Sequence, residues 1–279
     1  MLGETQGSTG NLSFRDHPAA LSIAGFDPSS GAGVTADLKV FAAHGVYGLA
    51  AITALTVQST QGVRSVEPVD PEILGQTLNY LAEDIEITGV KTGMLATERA
   101  VRTVAGFLAG SGVPAWRIVV DPVVRSSSGR ELLSADGVKR LKCDLLPLAG
   151  WVTPNTEELA ILAEVPVIDA GSVPEAAERL AGKCPGLNIV VTGGHLDPPN
   201  DFLRIADGTT RLFPGERIDT SATHGTGCAF SSALLARLMA GDGAEDAVLA
   251  AKRYVAEAMR SAQPIGKGRG PLHHLFWLG

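Results

Sequence analysis

The segment Thr223 to Cys228 is rich in glycine and leads directly into an apolar helical pattern that ends at Met239. Glycines permit a tight turn, and the free N–H groups and dipole of a helix start favour anions, so a γ-phosphoryl group could be stabilised there. The same position would lower the pKa of Cys228 and favour a thiolate able to orient or deprotonate an attacking hydroxyl group. A plain strand-to-helix turn with a buried cysteine fits the spacing as well. The candidate catalytic residues are Gly225, Thr226, Gly227 and Cys228.

A second glycine-rich loop, Gly25 to Gly33, follows an apolar run and opens a helical pattern that contains Asp37. Its Gly31 to Ala36 stretch matches the loose dinucleotide pattern G-x-G-x-x-A, but the end of the next apolar run carries no acid to hold a ribose. A small-molecule pocket is therefore favoured over a nicotinamide site, with Asp37 and Gln58 projecting into it. Gln58 offers one acceptor and two donors, the complement of an aminopyrimidine edge, although a solvated loop glutamine also fits its position.

Polar side chains also follow the apolar run that ends at Thr153. A spacing of three places Asn155 and Glu158 on one face of the next predicted helix. Such residues ordinarily cap a helix, and the functional alternative is that, with Asp121, they hold water around Mg²⁺ and a nucleotide phosphate. Ligands gather beyond the strand ends of open α/β sheets, and four candidates fall there: Asp121, Asn155, Gly193 and Gly225.

Several common catalytic motifs are missing from the sequence. There is no G-x-x-x-x-G-K-[ST] loop, which excludes a P-loop enzyme, and no H-E-x-x-H or C-x-x-C metal spacing. His195, His273 and His274 have no partners in sequence, so we expect surface or packing histidines. His195 is the better ligand candidate of the three because it follows Thr192-Gly193-Gly194.

Short Val- and Ile-rich runs alternate with helical patterns, which predicts a βα repeat with buried parallel strands. The predicted strands are Ala19 to Ala24, Leu49 to Val57, Ile87 to Lys91, Arg117 to Asp121, Gly150 to Thr153 and Leu187 to Thr192. The predicted helices are Val34 to Ala43, Pro71 to Ala82, Thr97 to Leu108, Ala135 to Leu145, Glu157 to Leu162, Pro174 to Ala181, Thr226 to Ala240 and Ala244 to Ala262. Asp207-Gly208 predicts a small hairpin at a sheet edge, between Phe202 to Ala206 and Thr209 to Phe213.

Composition limits the class of protein. The chain has 279 residues, 45% of them hydrophobic, and a net charge of −7, which argues against a nucleic-acid groove. The longest nearly apolar stretch, Val46 to Val57, is too short to span a bilayer. Three widely spaced cysteines suggest no disulfide framework, and the polar start has no signal-peptide pattern. We therefore expect a cytoplasmic α/β protein with a disordered leader over residues 1–17 and a single domain over residues 18–279.

The motifs together resemble those of hydroxymethylpyrimidine/phosphomethylpyrimidine kinases, from about Ala19 to Phe276. The resemblance implies a ribokinase-like three-layer α/β/α sandwich with a mostly parallel sheet and no large lid, acting with ATP and Mg²⁺, often as a homodimer. It further implies phosphorylation of 4-amino-5-hydroxymethyl-2-methylpyrimidine, its monophosphate or both in thiamine biosynthesis. The matching segments are Ala24 to Gly33, Ala36 to Lys39, the run through Gln58, Lys91 to Leu95, Asp121 to Val123, Thr153 to Asn155 with Glu158, Thr223 to Cys228, and the tail Gly266 to His274.

The same resemblance implies roles for residues at matching positions. Cys228 stands where most ribokinase relatives carry an aspartate base. A cysteine at this position resembles the pyrimidine kinases and some pyridoxal kinases. The resemblance implies five substrate-binding residues: Gly25, Asp37, Gln58, Met94 and Val123. Met94 and Val123 are the two expected to pack near the ring. The residues implied to bind ATP and Mg²⁺ are Asp121, Asn155, Glu158, Thr192 and Gly194. None of them is expected to bind the metal directly.

Two positions depart from the family pattern. Ser127 and Thr192 stand where lysine is usual, which removes positive charge near the expected phosphates unless Arg125 or Arg130 compensates. Thr192 resembles pyridoxal kinases, so a pyridoxal or pyridoxine kinase is the first alternative. The second is a pyrimidine-binding protein with weakened catalysis, and an NAD-linked oxidoreductase is a distant third.

Overall fold

The computed structural model describes residues 18–126, 129–166 and 168–278. The predicted leader and Ser127 therefore lie outside the described residues. Strands β1 to β9 are Ala19–Phe26, Tyr47–Ser59, Gly62–Pro68, Ile87–Thr92, Ile118–Val120, Trp151–Val152, Asn188–Val191, Asp201–Arg204 and Thr210–Phe213. Helices α1 to α8 are Gly33–Ala43, Pro71–Asp84, Glu98–Gly110, Ala135–Arg140, Thr156–Ala163, Val173–Lys183, Thr226–Met239 and Ala244–Arg260.

The nine strands form one sheet in the order β3-β2-β1-β4-β5-β6-β7-β8-β9. The six strands from β2 to β7 in that order are mutually parallel. Strand β3 pairs antiparallel at one edge, and β8 and β9 form an antiparallel hairpin at the other. The mostly parallel sheet and the edge hairpin are thus confirmed.

Helices cover both faces of this sheet. Successive side chains of a strand point to opposite faces, so Leu21 and Ala20 of β1 belong to different cores. The core around Leu21 includes buried residues of α2, α3, α5 and α6. The core around Ala20 includes buried residues of α1, α7 and α8. The result is the predicted three-layer α/β/α arrangement.

Three local predictions need correction. Strand β3 was missed because Gly62–Pro68 has only two apolar side chains, Val63 and Val66, among polar residues at an exposed edge. Strand β2 also continues to Ser59, beyond its predicted end at Val57, and this extension pairs with β3. The predicted helix Ala135 to Leu145 is α-helical only to Arg140, and a π-helical turn, Leu141–Leu145, follows it.

The parallel strands end at one edge of the sheet and deliver polar residues there. Asp27, Asp121, Thr153 and Thr192 each follow a strand within one residue. Such an edge is where open α/β sheets bind ligands. Across the described part of the chain, no helix combines the length and apolar character needed to cross a bilayer.

Candidate active site

A cavity of about 440 Å³ opens at the carboxyl edge of the sheet. Its walls are the loop after β1, the end of β2 and the turn into β3, the loop after β5, and the starts of α5 and α7. Two residues of the C-terminal tail, Gly268 and Arg269, complete the rim. A volume of this size suits a small organic ligand or part of a cofactor.

The start of α7 forms one wall of the cavity. Gly225 is the N-cap residue at φ 85°, a left-handed conformation that favours glycine, and an added Cβ would overlap the carbonyl oxygen of Gly31. Thr226, Gly227 and Cys228 occupy the first turn, where backbone N–H groups have no acceptor within the helix. All four residues line the cavity. The structure therefore places the predicted anion site at the cavity wall.

The environment of Cys228 corrects one prediction. Burial raises the pKa of its thiol to about 12, and the carboxylates of Asp121 and Asp37 add to the effect against the opposing ammonium of Lys91. The helix start was expected to lower this pKa. It does not, because desolvation and two nearby acids outweigh the helix dipole. At neutral pH Cys228 is a neutral thiol in the ligand-free protein.

A buried polar cluster lies beneath this wall. Lys91 Nζ donates to Asp37 Oδ1 and Oδ2 at 3.0 and 2.9 Å, and it lies 3.7 Å from Asp121 Oδ2. Ser22 and Ser232 donate to the same Asp37 carboxylate. These contacts raise the pKa of Lys91, although burial alone would lower it. Lys91 is thus a charged ammonium inside the protein.

Asp37 consequently does not line the cavity. Its side chain is fully buried, and Lys91, Ser22 and Ser232 occupy its oxygens. The prediction that Asp37 projects into the pocket was wrong, because the first turns of α1 point this residue toward β4 and α7. Lys91 could not be assigned a role from sequence, because its partners come from distant positions in the chain.

Asp27 and His224 form a second pair that the sequence did not reveal. Asp27 accepts hydrogen bonds from the N–H groups of Ser29, Gly31 and Ala32, and its Oδ2 lies 2.7 Å from His224 Nε2. Burial would raise the pKa of Asp27, but its hydrogen bonds with His224 and Ser29 hold it below the ordinary value. This pair ties the loop after β1 to the start of α7.

Gln58, on β2, contacts His224 of this pair. Its Nε2 lies 3.1 Å from His224 Nε2, and it lines the cavity as predicted. Gly25, Met94 and Val123 also line the cavity. Met94 packs with Leu132 and Val123 in a small apolar cluster. This end of the cavity therefore combines an apolar wall with one amide, an arrangement that suits a flat polar ring.

The opposite end of the cavity is acidic. Asp121, Asn155, Glu158 and Thr192 all line it. Asn155 and Glu158 form a capping box, since each side chain accepts the other's backbone N–H. Burial and the nearby Asp121 raise the pKa of Glu158 to about 8. Burial also raises the pKa of Asp121, while Lys91 opposes the shift.

Oxygen donors at this end fit a hard cation held partly through water. Besides the carboxylates of Asp121 and Glu158, the hydroxyl of Thr153 lines the cavity, is buried and has no hydrogen-bond partner among the described residues. Mg²⁺ prefers oxygen ligands and keeps several waters. Gly194 does not line the cavity, contrary to the prediction, although Thr192 and His195 on either side of the Gly193-Gly194 pair do. The N–H of Gly193 donates to Asp201 instead.

The raised pKa of Glu158 predicts a pH-dependent stability. In the folded protein Glu158 keeps its proton up to about pH 8, whereas in the unfolded chain it releases the proton near the ordinary glutamate pKa of 4.5, so unfolding becomes easier as pH rises between these values. Glu158→Gln keeps a neutral capping side chain and loses this dependence. The free energy of unfolding in urea, measured at pH 5, 6.5 and 8, should fall for the wild type relative to the variant as the pH rises. A constant difference would contradict this, and Glu83→Gln, at an exposed position of α2, is the control.

Comparison with known proteins adds independent findings. A model described as phosphomethylpyrimidine kinase matches residues 27–273. A hydroxymethylpyrimidine/phosphomethylpyrimidine kinase of Rhizobium meliloti is 41% identical over 259 residues, covering 91% of this chain and 96% of that protein. A thiamine biosynthesis bifunctional protein ThiED of Geobacter sulfurreducens is 38% identical over 259 residues, covering 92% of this chain and 52% of that protein. The chain therefore spans about half the length of that bifunctional relative.

Solved structures are similar as well. An ADP complex of Bacillus subtilis pyridoxal kinase has a TM-score of 0.84 and 30% identity, covering 94% of this chain and 99% of that one. A phosphomethylpyrimidine kinase from Clostridium difficile has a TM-score of 0.75 and 32% identity, covering 86% and 99%. A pyridoxal kinase from Staphylococcus aureus in complex with AMP-PCP has a TM-score of 0.85 and 29% identity, covering 94% of each chain.

Proposed function

Since this chain belongs to the phosphomethylpyrimidine kinase family, we propose that it transfers the γ-phosphoryl group of ATP to 4-amino-5-hydroxymethyl-2-methylpyrimidine, to its monophosphate, or to both, in thiamine biosynthesis. One observation carries the proposal beyond the family. The ring-sized end of the cavity beside Gln58 and Met94 and the anion site at Gly225 to Cys228 belong to one cavity. A ring alcohol and a transferring phosphoryl group can therefore meet there.

The geometry supports in-line transfer. The ring would lie against Met94 and Val123 with its amino edge toward Gln58, and its hydroxyl oxygen would attack the γ-phosphorus while the bond to ADP breaks. The N–H groups of the first turn of α7 would stabilise charge on the transferring group. Because the Cys228 thiol is neutral at pH 7, it would orient the attacking hydroxyl group through a hydrogen bond and would not take its proton. The hydroxyl proton would pass to an oxygen of the transferred phosphoryl group.

ATP and Mg²⁺ would lie toward the acidic end. Asp121, Glu158 and Asn155 would hold water around the metal, and Thr192 would lie near a phosphate. Mg²⁺ would supply charge neutralisation on the phosphate oxygens. Of the two arginines considered as replacements for the missing lysines, Arg125 lines the cavity, whereas Arg130 lies outside it and donates to the carbonyl oxygen of Arg64.

ADP release with ATP and Mg²⁺ tests the proposed activity. The acceptors to compare are hydroxymethylpyrimidine, its monophosphate, pyridoxal and none. Turnover with either pyrimidine is the expected result. Turnover with pyridoxal alone would move the assignment to a pyridoxal kinase, a second candidate favoured by the close structural similarity to pyridoxal kinases. Pyrimidine-induced thermal stabilisation without ADP formation would favour a binding protein.

A homodimer is the assembly we propose. Leu55 and Val57 of β2 and Ile73 and Tyr80 of α2 are each more than half exposed on two elements that contact each other. Exposed apolar side chains grouped in this way are typical of an interface. Sedimentation velocity should give twice the monomer mass, and Leu55→Glu should give monomers. Leu212→Glu, which charges an equally exposed leucine at the opposite sheet edge, should stay dimeric.

We also propose that residues 18–279 form a single domain and act in the cytoplasm. One sheet shared by both cores supports the first point, and one cooperative unfolding transition would test it. Three free cysteines suit a reducing compartment, and cell fractionation against cytoplasmic markers would test the second.

A further inference from the structure

The C-terminal tail, residues 266–271, is held against the acceptor end of the cavity by its backbone. Arg269 N–H donates to the carbonyl oxygen of Thr60 at 2.9 Å, and Gly268 N–H donates to Thr60 Oγ1. An added Cβ at Gly268 would overlap the carbonyl oxygen of Thr60, so the close approach requires glycine. The tail is thus fixed on the turn that follows Gln58.

The same tail is tied to the anion site from the other side. The N–H of His224 donates to the carbonyl oxygen of Gly270 at 3.1 Å, and His224 directly precedes Gly225. His224 also approaches Gln58 and Asp27. Arg269 therefore stands between the two parts of the cavity that an acceptor must touch, the ring-binding amide and the first turn of α7, and it lines the cavity.

The excess of acidic side chains in the cavity lining explains why a cationic side chain is needed to bind a phosphorylated acceptor. Four acidic residues of the described chain line the cavity, Asp27, Asp121, Glu157 and Glu158, against two arginines, Arg125 and Arg269. A phosphate monoester carries about −1.5 to −2 charges at pH 7. A ring alcohol enters such a cavity without charge repulsion, but its monophosphate needs a cation beside its phosphate.

We propose that Arg269 binds the phosphate group of a phosphorylated acceptor and so equips the chain for the second phosphorylation. The inference rests on the proposed function and concerns which acceptor the site takes. Arg125, the other arginine of the lining, lies on the loop after β5 and forms a β-bridge with Glu131. A guanidinium can hold a phosphate through two parallel hydrogen bonds, which keeps one oxygen free to attack.

Steady-state kinetics of Arg269→Gln with both acceptors test the inference. We expect kcat/KM for the monophosphate to fall by about 100-fold or more, and kcat/KM for the alcohol to fall at least tenfold less. Arg269→Lys should give an intermediate loss of kcat/KM for the monophosphate, since it keeps the positive charge but not the paired N–H groups of the guanidinium. Lys267→Gln, which removes a charge from the same tail outside the cavity, is the matched control. Turnover of the alcohol also reports that each variant is folded.

Calorimetric titration with the monophosphate in the absence of ATP adds a readout that does not need turnover. Arg269→Gln should raise the Kd by at least about tenfold, and Lys267→Gln should change it far less. Equal losses with the two acceptors, or a raised KM for ATP with both, would overturn the inference. A wild type that phosphorylates the alcohol but neither binds nor phosphorylates the monophosphate would overturn it and leave the proposed function standing. Arg269-dependent binding of the monophosphate without turnover of either acceptor would support the inference and contradict the proposed function.

Discussion

Replacing Cys228 by alanine should lower kcat by about 100-fold or more and leave KM for ATP within about threefold. The thiol lies in the first turn of α7 and lines the cavity, where an attacking hydroxyl would lie beside it. Alanine removes the thiol that orients this hydroxyl group, but it keeps the backbone N–H groups that hold the phosphoryl group. The loss should therefore fall on the chemical step, measured by ADP release at saturating ATP.

Two further variants sharpen this test. Cys228→Ser keeps a hydrogen-bonding group of similar size, so its kcat should lie between those of the wild type and Cys228→Ala. Cys143→Ala replaces an exposed cysteine and should behave as the wild type does. If Cys228→Ala turns over at the wild-type rate, Cys228 has no part in the reaction and the backbone of α7 acts alone.

Replacing Lys91 by methionine should destabilise the fold by about 3–5 kcal/mol, because it leaves buried carboxylates without their cation. Lys91 and Asp37 are both fully buried, and Asp121 lies within reach of the same ammonium. The exposed Lys267→Met is the control, and urea unfolding at pH 7 gives the free energies.

A double variant separates charge from packing in this cluster. Adding Asp37→Asn to Lys91→Met removes one unpaired charge but keeps an oxygen that can accept from Ser22 or Ser232. The double variant should be more stable than Lys91→Met alone, which a thermodynamic cycle would show as a coupling between the two positions. Additive losses would mean that the ion pair contributes no more than the volume of its side chains.

The sequence predicted the elements well because each depends on neighbours in the chain. Hydrophobic runs located the parallel strands, and the glycine-rich segment before α7 located the anion site. Gln58, Met94 and Asn155 line the cavity as predicted, since each lies within three residues of the carboxyl end of a strand.

The errors arise where a side chain has distant partners. Asp37 points inward because Lys91, 54 positions away, donates hydrogen bonds to its carboxylate. The expected low pKa of Cys228 considered the helix start alone and not the acids that fold up beneath it. His224 and Asp27 are separated by 197 positions, a distance over which spacing carries no information.

The contact between the tail and Thr60 spans 208 positions of the chain. During synthesis the turn after Gln58 leaves the ribosome before most of the strands, whereas Arg269 leaves it only after the last strand of the sheet, β9. A growing chain can therefore assemble most of the sheet before the rim of the cavity exists. Substrate cannot assist that early folding, and it can act only as a late ligand that selects chains whose tails have docked.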